Sequence, residues 1–307
     1  MDLIISMKRH ILFLVIPFLF LQSCTNESSD TNTEDTTTTS CYSNLNAQTI
    51  LHDGENRDYI LYVPSSYDGL SPVPLMMNFH GYGGTASEFI NDADMRAVAD
   101  ANEFILVYPQ GSCLEGSPHW NPCLSDEDNK SSVDDLGFVE ALVNEISSQY
   151  NLDIERIYAA GFSNGGMMAY GLANYKSDLV AAVSSVSGVM LTCAGAISHP
   201  IPVLHLHGTS DSVIPYEGNS LFLSAQNVLD SWIDFNNTTT TATINSETID
   251  GRTVEHYIYD EGDNNVSVEH YKYIGGNHTW FRTTYQGNTT AQLIWNFVSR
   301  YDINGLR

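Results

Sequence analysis

The chain has 307 residues, 42% of them hydrophobic and only 16% charged, which suffices for the core of one large α/β domain. Twelve basic residues stand against 37 acidic ones, a formal charge of -25. That balance excludes nucleic acid as a partner, because binding phosphate needs a basic face, and it disfavours adsorption on anionic lipid or polymer.

In chain order, Lys8 and Arg9 come first, followed by an apolar run from Ile11 to Leu21 and then Leu21-Gln22-Ser23-Cys24. A basic start, a short apolar stretch and a small residue before the cut make residues 1–23 a secretory signal peptide. The run is too short to span a membrane, and Pro17 interrupts it. Met7 opens a signal better than Met1, so both starts stay open. The ending resembles a bacterial lipobox, which implies lipidation of Cys24; an ordinary secreted protein is the alternative. Thr25 to Ser40 contains no apolar residue and carries Glu27, Asp30, Glu34 and Asp35. Residues 24–40 therefore read as a lipidated cysteine and a solvated acidic tether. Their acidity resembles the surface-export signals of Bacteroidetes-type lipoproteins. The expected location is the bacterial cell envelope, reached by secretion and held by lipid, with the outer-membrane surface one option.

Residues 41–307 read as the folded domain. Strands are expected at Asp58–Val63, Pro74–Phe79 and Phe104–Tyr108, with a helix over Ser87–Asn102. A long polar loop runs from Gly111 to Ser132. Asp134 and Asp135 then cap a helix running to Tyr150. Further strands are expected at Ala181–Val186, Pro202–His207, Val254–Tyr259 and Val268–Ile274. A helix is expected at Asn219–Phe235, a polar turn at Asn236–Thr243, and a closing helix along Leu293, Ile294, Phe297, Val298 and Tyr301. Strands alternating with helices predict a mostly parallel central sheet with helices on both faces.

Beyond Cys24, four cysteines remain: Cys41, Cys113, Cys123 and Cys193. In an oxidising setting they form an even set with three possible pairings. Cys113–Cys123 is preferred because it closes a short loop, which leaves Cys41–Cys193; free buried thiols are the alternative.

The segment from Arg156 to Tyr170 organises the rest. An apolar run meets Gly161-Phe162-Ser163-Asn164-Gly165-Gly166 and continues in helix-forming residues. That is a strand, a turn too tight for side chains, and a helix, with Ser163 at the apex. A serine hydroxyl attacks poorly until a base takes its proton, and the base needs an orienting carboxylate. Ser163, Asp211 and His278 follow in the order nucleophile, acid, histidine, each on a loop after a strand. The backbone N–H groups of Asn164 and Tyr82 are the expected oxyanion donors, with Gly83 the second choice beside Tyr82. His80 reads as structural. His205 and His207 share a strand face but lack further ligands, so no metal site is read there. Trp120 and Trp280 are candidates for stacking on a substrate ring or sugar, or simply for packing.

From about Arg57 to Arg300 the chain resembles the family that groups polyhydroxybutyrate depolymerase-like esterases with feruloyl and acetylxylan esterases. The resemblance lies in Phe79-His80-Gly81, Trp120-Asn121, the Val133–Phe138 run, the elbow, and His207-Gly208-Thr209-Ser210-Asp211 with the residues to Tyr216. Gly275-Gly276-Asn277-His278-Thr279-Trp280 completes it. It implies an α/β-hydrolase fold and a serine esterase using the same three residues. Asn121-Pro122-Cys123-Leu124 stands where the family often has Gly-Cys-Cys-Gly. The expected activity is ester hydrolysis without cofactor by a monomer. The expected substrates are feruloyl or acetyl esters on polysaccharide, with poly(3-hydroxyalkanoate) or a related polyester as the alternative. A serine peptidase of the same fold and a non-catalytic binding lipoprotein are remoter readings.

Overall fold

Ten strands form one sheet in the order β1-β2-β4-β3-β7-β8-β9-β12-β11-β10. The computed structural model describes residues 46–124, 129–193, 195 and 197–307; the signal peptide, Cys24, the tether and Cys41 lie outside the described residues. The first half comprises β1 (Gln48–His52), β2 (Glu55–Tyr62), β3 (Val73–Phe79), α1 (Ala86–Asp92), α2 (Arg96–Asn102) and β4 (Ile105–Pro109). A two-stranded ribbon, β5 (Ser112–Leu114) and β6 (Ser117–His119), leads to α3 (Asp135–Gln149), β7 (Leu152–Phe162) and α4 (Asn164–Tyr175). Then come β8 (Ala182–Val186), β9 (Val203–Gly208), α5 (Ala225–Asn236), β10 (Thr243–Ile249), β11 (Arg252–Tyr259) and β12 (Val268–Tyr273). The chain closes with α6 (Thr290–Val298), β13 (Tyr301–Asp302) and β14 (Gly305–Leu306).

The six central strands, β4, β3, β7, β8, β9 and β12, are parallel; β1 and β2 on one side and β11 and β10 on the other run antiparallel. Central strands covered on both faces are nearly continuous apolar runs, and β3, with Asn78 its one polar residue, is the example. Leu75, Met77 and Phe79 join one core with residues of α3, α4 and α5, while Met76 joins the other with residues of α1, α2 and α6. After β3 the chain moves to one side to form β4, and then crosses to the other to form β7. The loops after β3 and β7 thus flank a switch point, the place where open α/β sheets hold their ligands.

Several details differ from the sequence reading: the closing helix ends at Val298, with Tyr301 in β13, and the long loop holds the β5–β6 ribbon. The helix expected over Ser87–Asn102 is two helices. The break at Ala93–Met95 is held by Tyr108, whose hydroxyl donates to Ala93 O and accepts from Met95 N. The helix expected from Asn219 begins at Ala225, capped by Ser224, because Asn219 caps its own turn through the N–H groups of Leu221 and Phe222. The edge strands β1 and β10 were not expected; both are largely exposed, so neither carries a full apolar face. The disulfide differs too. Cys123 pairs with Cys193, which overturns both Cys113–Cys123 and Cys41–Cys193; Cys113 is itself disulfide-bonded. Sequence proximity was a poor guide, because the long loop carries Cys123 to the segment after β8 that holds Cys193. It follows Pro122, which packs on α4 at Gly171.

Candidate active site

Ser163 sits between β7 and α4 with φ 54° and ψ -119°, a conformation that side chains rarely adopt and that neighbouring structure must impose. Its N–H donates to Val186 O at the end of β8. The elbow closes only because side chains are missing. A Cβ on Gly161 would lie 2.3 Å from Gly165, and one on Gly165 2.1 Å from Phe79 O.

The acid and the histidine stand on neighbouring loops after β9 and β12. Thr209 N–H donates to Tyr273 O, Gly275 N–H to Thr209 Oγ1, and Ser210 N–H to Gly276 O. These ties hold the loops in register, and His278 Nδ1 donates to Asp211 Oδ2 at 2.7 Å. Oδ1 of Asp211 accepts from the N–H groups of Val213 and Ile214 at 2.9 and 2.8 Å. Burial pushes the Asp211 carboxyl up, but hydrogen bonds from His207, His278 and Ile214 outweigh it and hold it well below the usual carboxylate range. The His278 side chain is 14% exposed and its ring lies 4.8 Å from that of Phe162, the residue before the serine. Among the described residues the Ser163 hydroxyl has no hydrogen-bond partner; serine–histidine contacts without substrate are often loose.

The loop after β3 is a turn closed by Gly84 N–H on Gly81 O, with Gly83 at φ 76°. Gly83 N–H donates to Pro118 O, so this second choice for the oxyanion is already engaged. Tyr82 N–H has no acceptor among the described residues. Tyr82 itself is 54% exposed, with Lys130 Nζ 5.2 Å from its ring centroid. Asn164 opens α4. Its side chain clamps the backbone of Trp120, accepting from Trp120 N at 2.8 Å and donating to Trp120 O at 3.1 Å.

Neither tryptophan presents a face to a ligand. Trp120 is fully buried, edge-on to Phe79, with Nε1 donating to His80 O. Trp280 is 8% exposed and packs edge-on against Phe89. For both, packing is the role the structure gives. A cavity of about 260 Å³ beside the loop after β3 is lined by Tyr82, Phe89 and Phe162 and rimmed by Glu88 and Asp92. A second groove of about 390 Å³ lies beside the His278 loop, lined by Arg252, Asn277, Thr279, Phe281 and Arg282 among others.

His80 is structural. Nδ1 donates to Gly81 O, and Nε2 accepts from Gly111 N–H and the Gln110 amide, tying the loop after β3 to the end of β4. Burial pushes its pKa down to about 4 and keeps it neutral. Sequence reasoning missed what holds the long loop. Arg57 pairs with Asp135 at 2.6 Å, both buried, and the other Asp135 oxygen accepts from Asn121 N–H. The only signal was a second aspartate just inside a helix already capped by Asp134. Among the described residues one group has metal-ligand spacing: His52, Asp53 and Asp134, of which both aspartates are exposed.

A parallel sheet whose switch point carries an elbow serine, beside a histidine–carboxylate pair in that chain order, defines an α/β-hydrolase. The esterase PHB depolymerase family profile matches residues 57–239, more than half of the chain, and the chain belongs to that family. It is similar to the bifunctional acetylxylan esterase/xylanase XynS20E of Neocallimastix patriciarum, 27% identical over 253 residues covering 82% of this chain and 34% of that protein. Feruloyl esterase B of Piromyces equi is 27% identical over 269 residues, 80% of this chain and 46% of its own length. The putative esterase NocK of Nocardia uniformis subsp. tsuyamanensis is 34% identical over 178 residues, 57% and 51%. The chain thus spans between about a third and about half of these curated relatives. Among solved structures, an acetyl xylan esterase from Aspergillus awamori shares the fold, with TM-score 0.58 and 17% identity over 82% of this chain and 98% of that one.

Proposed function

We propose that the protein is a serine esterase that hydrolyses carboxylic esters through an acyl-enzyme. Ser163 Oγ attacks the ester carbonyl while His278 takes its proton, and Asp211 orients and stabilises the imidazolium. The oxyanion accepts from the N–H groups of Tyr82 and Asn164. Collapse expels the alcohol, protonated by His278; water, deprotonated by the same histidine, then releases the acid and restores Ser163. The observation that carries this reading is the 2.7 Å bond from His278 to a buried Asp211, beside the strained elbow.

Feruloyl or acetyl esters on polysaccharide are the first substrate class. The names of the relatives in Neocallimastix and Piromyces support it, and so does the groove beside His278, whose threonine, asparagine and arginine side chains suit sugar hydroxyls. A polyester such as poly(3-hydroxybutyrate) is the second reading, favoured by the description of the matching family. Residues 41–307 act as the esterase domain, as a monomer, delivered by the signal peptide and held at the envelope through lipid on Cys24. Product release from methyl ferulate, acetylated xylan, p-nitrophenyl acetate and poly(3-hydroxybutyrate), by wild type and Ser163→Ala side by side, tests the chemistry. Turnover that survives in the variant refutes the triad. Labelling with radioactive palmitate that persists in Cys24→Ala refutes the anchor.

A further inference from the structure

His205 and His207 lie two residues apart on β9, so they share one face of the strand, and both are fully buried. Their nitrogens form a line. Tyr170 Oη lies 2.8 Å from His205 Nδ1, and His205 Nε2 lies 3.1 Å from His207 Nδ1. His207 Nε2 lies 2.9 Å from Ile214 O and 3.3 Å from Asp211 Oδ2. Both of these are acceptors only, so His207 Nε2 carries a proton. With His207 neutral, its Nδ1 accepts from His205 Nε2–H, and His205 Nδ1 accepts from the Tyr170 hydroxyl. Each N–H and O–H in the line then points toward Asp211, and such chains polarise one another.

Other groups close the cluster. From β12, His270 donates through Nδ1 to His205 O and accepts at Nε2 from Tyr216, whose ring meets that of His207 edge-on. Ser185 on β8 stands beside Tyr170, and Lys272 lies 5.4 Å from the Tyr216 ring centroid. Burial and the neighbouring His207 and His270 push His205 well below the ordinary histidine range, and burial takes His270 to about 3. Asp211 is faced by His207 from β9, by His278, and by the N–H groups of Val213 and Ile214.

We propose that His207 is a positioning residue for the ester hydrolysis, acting through Asp211. It grips the acid loop twice. Its Nε2–H has Ile214 O as the nearer acceptor and Asp211 Oδ2, the oxygen bound by His278, as the second. Ile214 in turn holds Oδ1 through its own N–H. Tyr170 and His205 fix the tautomer that makes this grip possible. His207 also takes up part of the carboxylate's charge, leaving less to favour a protonated His278. The inference rests on the reading of Ser163, His278 and Asp211 as a triad.

The test is the pH dependence of kcat/KM on p-nitrophenyl acetate, with active sites counted by a fluorophosphonate label. His207→Phe keeps a buried ring but donates nothing. It is expected to lower kcat about tenfold at unchanged KM and to move the acid limb up by about half a pH unit, since a hydrogen bond to a charged group is lost. His207→Gln, whose amide N–H reaches about as far as Nε2–H, is expected to restore the limb. Tyr216→Phe breaks a bond in the same cluster off the line and is expected to leave the limb in place. A wild-type limb in His207→Phe, or a glutamine variant no better than phenylalanine, overturns the proposal. If His207→Phe does not fold, nitrogen NMR of wild type decides: a proton on His207 Nε2 upholds it, and the Nδ1–H tautomer of His207, which leaves Nε2 nothing to donate, overturns it. Turnover by Ser163→Ala would overturn the triad itself, whereas an unmoved limb beside an inactive Ser163→Ala removes only the role of His207.

Discussion

Replacing both Cys123 and Cys193 by serine separates the observed disulfide from the one that proximity suggests. The bond closes a loop of sequence separation 70, and in the chain-entropy account that stabilises the fold by ~4.4 kcal/mol, against ~2.7 kcal/mol for the ten-residue separation of Cys113 and Cys123. The loss should be felt at the site, because Asn121 and Pro122 link the bridge to Trp120, which Asn164 clamps. Urea unfolding followed by tryptophan fluorescence should therefore show a loss of about 4 kcal/mol. A thiol count on the denatured, unreduced double variant should equal that of wild type, since the two cysteines removed are each other's partners. Under the proximity pairing the same variant would release two new thiols, from Cys113 and Cys41. Two new thiols would refute the assignment whatever the stability.

Three further outcomes follow from buried charges. Arg57→Met strands the Asp135 carboxylate in the core and should cost about 3–5 kcal/mol in urea unfolding, with Arg57→Met/Asp135→Asn recovering at least half; a double variant as unstable as the single would refute the pairing as the cause. Asp211→Asn should lower kcat by about 10⁴ with the fold intact, as expected when the histidine loses its orienting anion; a drop below tenfold would remove Asp211 from the triad. The third outcome is acid lability. His80 and His270 titrate near 4 and 3 in the folded chain against 6.5 unfolded, and His205 is also depressed, so below pH 6.5 the unfolded chain binds protons that the folded one refuses. Each such histidine costs about 1.4 kcal/mol per pH unit, His119 is depressed as well, and Asp135, which burial raises, opposes as one group against these and the depressed Asp211 and Glu269. Between pH 5.5 and 4.5 at 0.15 M salt, Tm should fall by about 10 °C, and a flat profile there would refute the neutral-histidine cluster.

The parallel sheet was legible because central strands are apolar runs and their helices repeat with a different period. The elbow was legible because its glycines are required by contact with Phe79 and with each other. The placement of Ser163, Asp211 and His278 was legible because each lies on a loop after a strand that sequence marks out. What could not be read is what depends on distant partners. The pairing of Cys123 with Cys193 is set by where the long loop crosses α4, and nothing local encodes that crossing. For Trp120, stacking and packing both stayed open in sequence, because nothing local shows that its loop dips into the core and buries it. The edge strand β10 escaped notice because the polar turn read at Asn236–Thr243 is followed by Asn245, Ser246 and Glu247, which show no apolar face until β11 pairs with them.

The rigidity of the site comes from buried polar ties more than from the three reacting residues. On one side, His80 fastens the loop of Tyr82 to Gly111, and Trp120 Nε1 holds His80 O from beneath. In the middle, Asn164 joins the first turn of α4 to the Trp120 backbone, so the two N–H groups assigned to the oxyanion are referenced to one residue. On the other side, the backbone bonds between the acid and histidine loops leave Gly208 no room for a side chain, since a Cβ there would lie 2.2 Å from Gly276 O. Oxyanion stabilisation depends on donors that need not reorganise as charge develops. Substitutions at His80, Trp120, Asn164 or Gly208 should therefore lower kcat with little change in KM, although of these only Asn164 is proposed to offer a group to the substrate.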